Sequence, residues 1–176
     1  MTRTMKKAGW AVSLFVLVTA TGWAAEQQSK QVEITLELAA TCVLNVDDIQ
    51  GFGSWPTGDE NITQVNLGTV TVACADGMAY AVGIDAGEHF DGVSRRLSNG
   101  TDYLSYILRA RSSSGQEWGD AGLTDISNDY ISTHPAQAVF GTGSGATQNI
   151  TLWGDATIAD ANGGTYQDRV NVILVW

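Results

Sequence analysis

The stretch Gln31–Leu38, Q-V-E-I-T-L-E-L, alternates without a break: Val32, Ile34, Leu36 and Leu38 against Gln31, Glu33, Thr35 and Glu37. A period of two places all four aliphatic side chains on one face of an extended strand, an arrangement no helix reproduces. A strand with one greasy face has to find a sheet. This one precedes the first cysteine, so it can fold back as an edge of its own domain, or leave and complete the sheet of a neighbour. The second reading is favoured here.

What comes before that stretch reads as a secretory leader. Arg3, Lys6 and Lys7 precede the apolar run Ala8–Ala20, which is short for a membrane span. Gly22 and Ala24 flank Trp23 as the small residues of a cleavage site, so removal of residues 1–24 is expected. The exported chain of about 150 residues fits one domain. It keeps six basic residues against nineteen acidic ones, a net charge of −13. Nucleic acid and anionic membrane both demand a basic face, and this balance argues against either as partner. Cys42 and Cys74, an even pair in an oxidising compartment, are expected to form one structural disulfide. Closing a loop of that length contributes about 3–4 kcal/mol in the chain-entropy account.

The remainder reads as strand and turn. Thr41–Val46 is short and mostly apolar; Asp47–Ile62 is a connection punctuated by Gly51, Gly53, Pro56 and Gly58, with Phe52 and Trp55 expected to pin it to the core. Val65–Cys74 is a strand with Val65, Leu67, Thr69, Thr71 and Ala73 on one face and Val70 and Val72 on the other. Asp76-Gly77 then turns the chain into Met78–Asp85, which predicts a hairpin. Ala86–Asp102 is polar and turn-rich. Tyr103–Ala110 is a strand, Arg111–His134 is irregular with an anchored turn at Trp118-Gly119-Asp120, and Ala138–Phe140 is short and apolar. Gly141–Gly145 connects it to a strand at Gln148–Trp153, and Arg169–Trp176 is a strongly apolar last strand. About seven strands at this spacing define an antiparallel β-sandwich. Because no residues follow to cover the last strand, the sandwich is expected to lack an edge strand while its N-terminus carries a spare one.

Set in order, the motifs resemble the spore coat protein U domain family, shared with archaic chaperone–usher pilins of Gram-negative bacteria. The resemblance is carried by Cys42, Phe52-Gly53, Gly68-Thr69-Val70-Thr71-Val72-Ala73-Cys74, and Tyr80 through Asp85-Ala86-Gly87. Arg95-Arg96-Leu97, Leu104-Ser105-Tyr106, Trp118-Gly119 and Leu152-Trp153-Gly154 follow, then Gly164-Thr165-Tyr166-Gln167-Asp168-Arg169-Val170 and an aromatic last residue. Trp153 and Trp176 stand where tyrosine is usual, and the proline after Trp153-Gly154 is absent. The resemblance implies an incomplete immunoglobulin-like antiparallel β-sandwich completed by a donor strand. In such pilins a periplasmic chaperone first fills the groove, and at the outer-membrane usher the N-terminal strand of the next subunit replaces it. The donor residues here would be Val32, Ile34, Leu36 and Leu38, within a segment 25–40 that precedes a domain over 41–176.

No catalytic constellation stands out. His89 and His134 are isolated, and Ser54 and Ser112–Ser114 lack a nucleophile elbow or a neighbouring base. The acids Asp47-Asp48, Asp59-Glu60 and Asp120–Asp129 have no calcium-loop spacing. Gly141–Gly145 carries no lysine to hold a phosphate. Asn61, Asn99 and Asn149 fit the glycosylation pattern, which is common by chance, and the tryptophans read as core and turn anchors. The expectation is a non-enzymatic structural subunit, without cofactor or metal, of a surface fimbrium supporting adhesion and biofilm formation. Its expected partners are related subunits, a chaperone and an usher. The rivals are a secreted, self-contained sandwich of lectin or adhesin type and a spore or cyst coat component.

Overall fold

The computed structural model describes residues 29–31, 33–37, 41–46, 49–58, 61–123 and 130–176. The expected leader and its cleavage site, Val32 and Leu38, and the acids Asp47, Asp48, Asp59, Glu60, Asp125 and Asp129 lie outside the described residues. The chain divides into two units, Met1–Glu37 and Leu38–Trp176. In the first, the described residues carry no strand, and Ile34 and Leu36 are 90% and 81% exposed.

The second unit is all-β among its described residues, with eight strands: β1 (Cys42–Asn45), β2 (Ile62–Cys74), β3 (Ala79–Ile84), β4 (Arg95–Ser98), β5 (Tyr103–Ala110), β6 (Val139–Thr142), β7 (Thr147–Ala156) and β8 (Val172–Val175). They form a five-stranded sheet, β1-β2-β7-β5-β4, and a three-stranded sheet, β6-β3-β8, with every pairing antiparallel. Leu67, Val70, Val72, Leu108, Ile150 and Leu152 from the large sheet meet Tyr80, Val82 and Ile84 from the small one in a single core. Cys42 and Cys74 are joined, tying β1 to β2 where they pair.

Several details depart from the sequence reading. Asp76-Gly77 does not close a hairpin: β2 and β3 belong to different sheets, so the chain crosses the core there. The turn is held from the β6–β7 connection by Gly77 N–H to Gly143 O at 2.9 Å and Gly143 N–H to Met78 O at 2.7 Å. Both strands have an apolar face, and stacking these faces buries more apolar surface than pairing edge to edge. Strand β2 also begins earlier than expected and changes phase. Its pairing with β7 shifts between Ile62 and Val65 and between Asn66 and Gly68. Gly68 lies at φ 135°, where a side chain would be strained, and the extra residue brings Leu67 onto the same buried face as Val70 and Val72.

Inside the stretch read as polar turn, Arg95–Ser98 is a strand hairpinned to β5. Two adjacent arginines look solvated, yet Arg95 is fully buried; its Nε donates to Asp85 O at 2.8 Å and Nη2 to Ile84 O at 2.7 Å. Arg95 therefore links the two sheets through main-chain acceptors. Phe52 packs edge-on to Tyr106 as expected of an anchor, whereas Trp55 is 49% exposed and instead donates Nε1–H to Phe52 O at 2.6 Å.

Candidate functional site

Strand β8, V-I-L-V, pairs with β3 and, among the described residues, with no other strand. Asp85 N–H donates to Asn171 O at 3.1 Å, which sets the phase of the ladder. By the alternation of antiparallel pairing, Asn171, Ile173 and Val175 turn their main-chain groups toward β3, and Val172 and Leu174 turn theirs to the open edge. The side chains of Val172 and Leu174, with Val170 before them, pack on the main core but stay partly exposed. Leu44, on the edge strand β1 of the other sheet, is half-buried against the same core. An open ladder and an incompletely covered row of aliphatic side chains coincide on one strand.

The start of β8 is fixed by two carboxylates. Asp85 accepts Asn171 N–H at 2.9 Å and Asn171 Nδ2–H at 2.6 Å. Asp168, its side chain 1% exposed, accepts from Glu88 N–H, His89 N–H and the His89 ring, and from Tyr106 Oη–H at 2.6 Å. Burial, reinforced by the Asp168 hydrogen bond, pushes the Tyr106 phenol well above its ordinary range, so it stays a donor. Gly87 sits at φ 79° against Asp168, where a Cβ would collide with the carboxylate.

The other face of β8 lies against a second, smaller cluster. Ile173 and Val175 pack with Ala81, Leu123, Ala138 and Tyr130. Trp118 is fully buried and donates Nε1–H to Val82 O at 2.9 Å. Asp120, also fully buried, accepts from Tyr130 Oη–H at 2.6 Å, Ser132 Oγ–H at 2.8 Å, Thr133 N–H at 3.0 Å and His134 N–H at 2.7 Å. Burial alone would raise its carboxyl, but these bonds together hold it below the ordinary range. Neither histidine sits as a free base. His89 pairs with Asp168, and His134 is buried beside Phe90, where burial lowers its imidazole to about 4.

At one end of the domain a cavity of about 530 Å³ opens between Phe52, Trp55 and Tyr166, floored by Leu97, Leu104 and Ile158. Among the described residues, no group of three or more His, Cys, Asp and Glu side chains is placed to hold a metal ion.

The sequence reading singled out the apolar last strand and the donor stretch. The structure places Ile34 and Leu36 in the open and Val172 and Leu174 on an unpaired edge. It also shows roles that the motifs did not carry: Asp85 and Asp168 set β8, and Asp120, read as part of an anchored turn, holds Tyr130 of the cluster on its outer face. The signal of Asp85 and Asp168 is long-range, since their donors include residues 62 to 86 positions away, whereas Asp120 gathers donors 10 to 14 residues on.

The Spore Coat Protein U domain profile matches residues 28–173, and the chain belongs to that family. No curated protein matches the chain in sequence. Among solved structures, it is similar to the chaperone–tip adhesion subunit pre-assembly complex from the archaic chaperone–usher Csu pili of Acinetobacter baumannii. The identity is 16% and the TM-score 0.46, over 79% of this chain and 40% of that one.

Proposed function

We propose that this chain is a structural subunit of a surface pilus, assembled by the chaperone–usher pathway through exchange of donor strands. In this reading residues 1–24 direct export and are removed, residues 25–40 form the donor segment, and residues 41–176 form the domain that accepts a donor. A periplasmic chaperone covers the open edge first, and at an outer-membrane usher the next subunit's Gln31–Leu38 replaces it. The resulting fibre lies on the cell surface of a Gram-negative bacterium and supports adhesion and biofilm formation.

The single observation that carries this reading is the edge of β8, unpaired among the described residues, where Val172 and Leu174 present open main-chain groups beside half-buried side chains. An added strand gains main-chain hydrogen bonds there, and alternate side chains fill the row that the fold leaves uncovered. Val32, Ile34, Leu36 and Leu38 suit that demand, with about 6–12 kcal/mol of gross burial before ordering costs. A slip of one residue would drive Glu33 and Glu37 into the core, so the register is specified. Each subunit donates at one place and accepts at another, a head-to-tail contact that extends instead of closing.

The test compares periplasmic and surface material on gels, unboiled and boiled, for the intact chain and one lacking Gln31–Leu38. A ladder that collapses on boiling and vanishes with the deletion is expected. An intact chain that runs only as a monomer, with a deletion that merely unfolds it, would assign the strand to its own sheet.

A further inference from the structure

The three-stranded sheet has two outer edges, and they are treated differently. On β6, Gly143 N–H donates to Met78 O at 2.7 Å, and Gly141 and Val139 follow in the same phase, opposite Tyr80 and Val82. Phe140 and Thr142 therefore turn their main-chain groups outward. Both outward carbonyls are already occupied by side chains. Arg111 Nη2 donates to Phe140 O at 3.3 Å, and Gln148 Nε2 donates to Thr142 O at 3.1 Å.

The first cap is long-range, and the second closes the short β6–β7 connection, with Gln148 six residues from Thr142. Arg111 stands 29 residues from Phe140 at the end of β5, with φ at 71°, a conformation uncommon for a residue bearing a Cβ. Its N–H is anchored to Thr151 O at 2.8 Å, and Gln148 reaches across from β7. Phe140 itself is 55% exposed, so an uncapped β6 would offer an apolar, unpaired edge. On β8, among the described residues, no side chain caps the outward groups of Val172 or Leu174.

We infer that Arg111 and Gln148 are specificity determinants of strand addition. By occupying the outward carbonyls of β6, they exclude the donor strand of a second copy, or another β6, from that edge and, within the small sheet, confine addition to β8. The inference rests on the strand-donation reading. It adds that growth is linear because one edge of the small sheet is guarded and the other is left open. A donor at β6 would have to displace both side-chain hydrogen bonds before gaining its own, a discrimination on the order of tenfold from two caps worth a few-fold each.

The experiment uses the full chain and a synthetic peptide spanning Glu26–Ala40 with a photo-crosslinker in place of Thr35, followed by mapping of the crosslinked residues. Wild type is compared with the double variant Arg111→Ala, Gln148→Ala and with Gln148→Glu, which keeps its size but loses the donor N–H. Crosslinks to residues 139–142 should rise about tenfold in the double variant and several-fold in Q148E. Arg111→Gln, which retains a donor, should stay near wild type. Unchanged labelling of β6 in the double variant and in Q148E overturns the inference, whatever happens at β8. Absence of β8 labelling in wild type would instead count against strand donation, with the β6 comparison still readable.

Discussion

The two sheets are held together by different means. In the large sheet each inner strand is flanked by partners, β2 pairs with β7 over most of its length, and a disulfide ties β1 to β2. Its stability is spread over main-chain ladders. The small sheet has one central strand, β3, and depends on side chains reaching in from elsewhere: Arg95 at the end of β3, Asp85 and Asp168 at the foot of β8, Asp120 over its outer face. A ladder tolerates the loss of any one side chain, whereas a buried carboxylate with several donors does not. The half of the domain with fewer strands is thus fixed by polar nodes, and it is also the half whose edge strand β8 carries a row of half-covered aliphatic side chains.

The sharpest way to break this contrast is to attack the open edge through its proposed occupant. Leu36→Glu should leave the domain folded and abolish the heat-sensitive ladder, lowering multimer yield by on the order of a hundredfold, since a carboxylate would enter an apolar socket. Normal fibres from that variant would show that Leu36 is not a donor side chain buried in the next subunit. Next comes the node on the other face of the same strand. Asp120→Ala should cost about 3–5 kcal/mol in urea unfolding, because several buried donors lose their acceptor together. A loss below about 1 kcal/mol would mean the Tyr130–His134 segment is not clamped by that carboxylate.

In the large sheet the covalent tie is the exception to spread-out stability. Replacing Cys42 and Cys74 together by serine should lower stability by about 3–4 kcal/mol while leaving the preference for β8 unchanged. Equal urea midpoints before and after reduction of the native chain would deny the disulfide that role. The smallest effect is one of pH. Burial, helped by the Arg95 guanidinium, depresses the folded His134 imidazole to about 4, while the Asp120 carboxylate pulls the other way. The neutral form belongs to the folded state, so its contribution is complete above the unfolded value near 6.5 and declines as pH falls toward 4. Urea midpoints should drop between pH 7 and pH 4.5, and His134→Gln should flatten that slope. Loss of the Asp120 contribution begins lower, since a depressed carboxyl keeps its charge until pH falls through its folded value.

Much of this was legible in the residues, for reasons of period. Tyr103–Ala110, Gln148–Trp153 and the apolar last strand alternate or run greasy and lie where strands form, and two cysteines in a chain that reads as exported predict their own pairing. The hairpin at Asp76-Gly77 was misread because the same turn residues serve a return within a sheet and a crossing between sheets. Only the partners of β2 and β3 distinguish the two. Arg95 was read as part of a polar turn because an arginine buried on main-chain carbonyls leaves no hydrophobic trace. The phase change at Gly68 needs three-dimensional pairing to be seen. As for the candidate site, the open edge could be anticipated from Arg169–Trp176. The guards could not, since an arginine and a glutamine on exposed strand ends have no pattern apart from the carbonyls they reach.

The disulfide at the start of β1 has a mechanical meaning if subunits are strung on their donor segments. A pull along the fibre enters each subunit through the residues after Leu38 and reaches Cys42 within four positions. From Cys42 the load need not travel through the short β1 ladder, which could be unzipped bond by bond. It passes across a covalent bond to Cys74 at the end of β2, the strand that shares its long pairing with β7. Tension is then borne in shear by the longest ladder of the domain, and the point where the tether attaches becomes the part least able to peel.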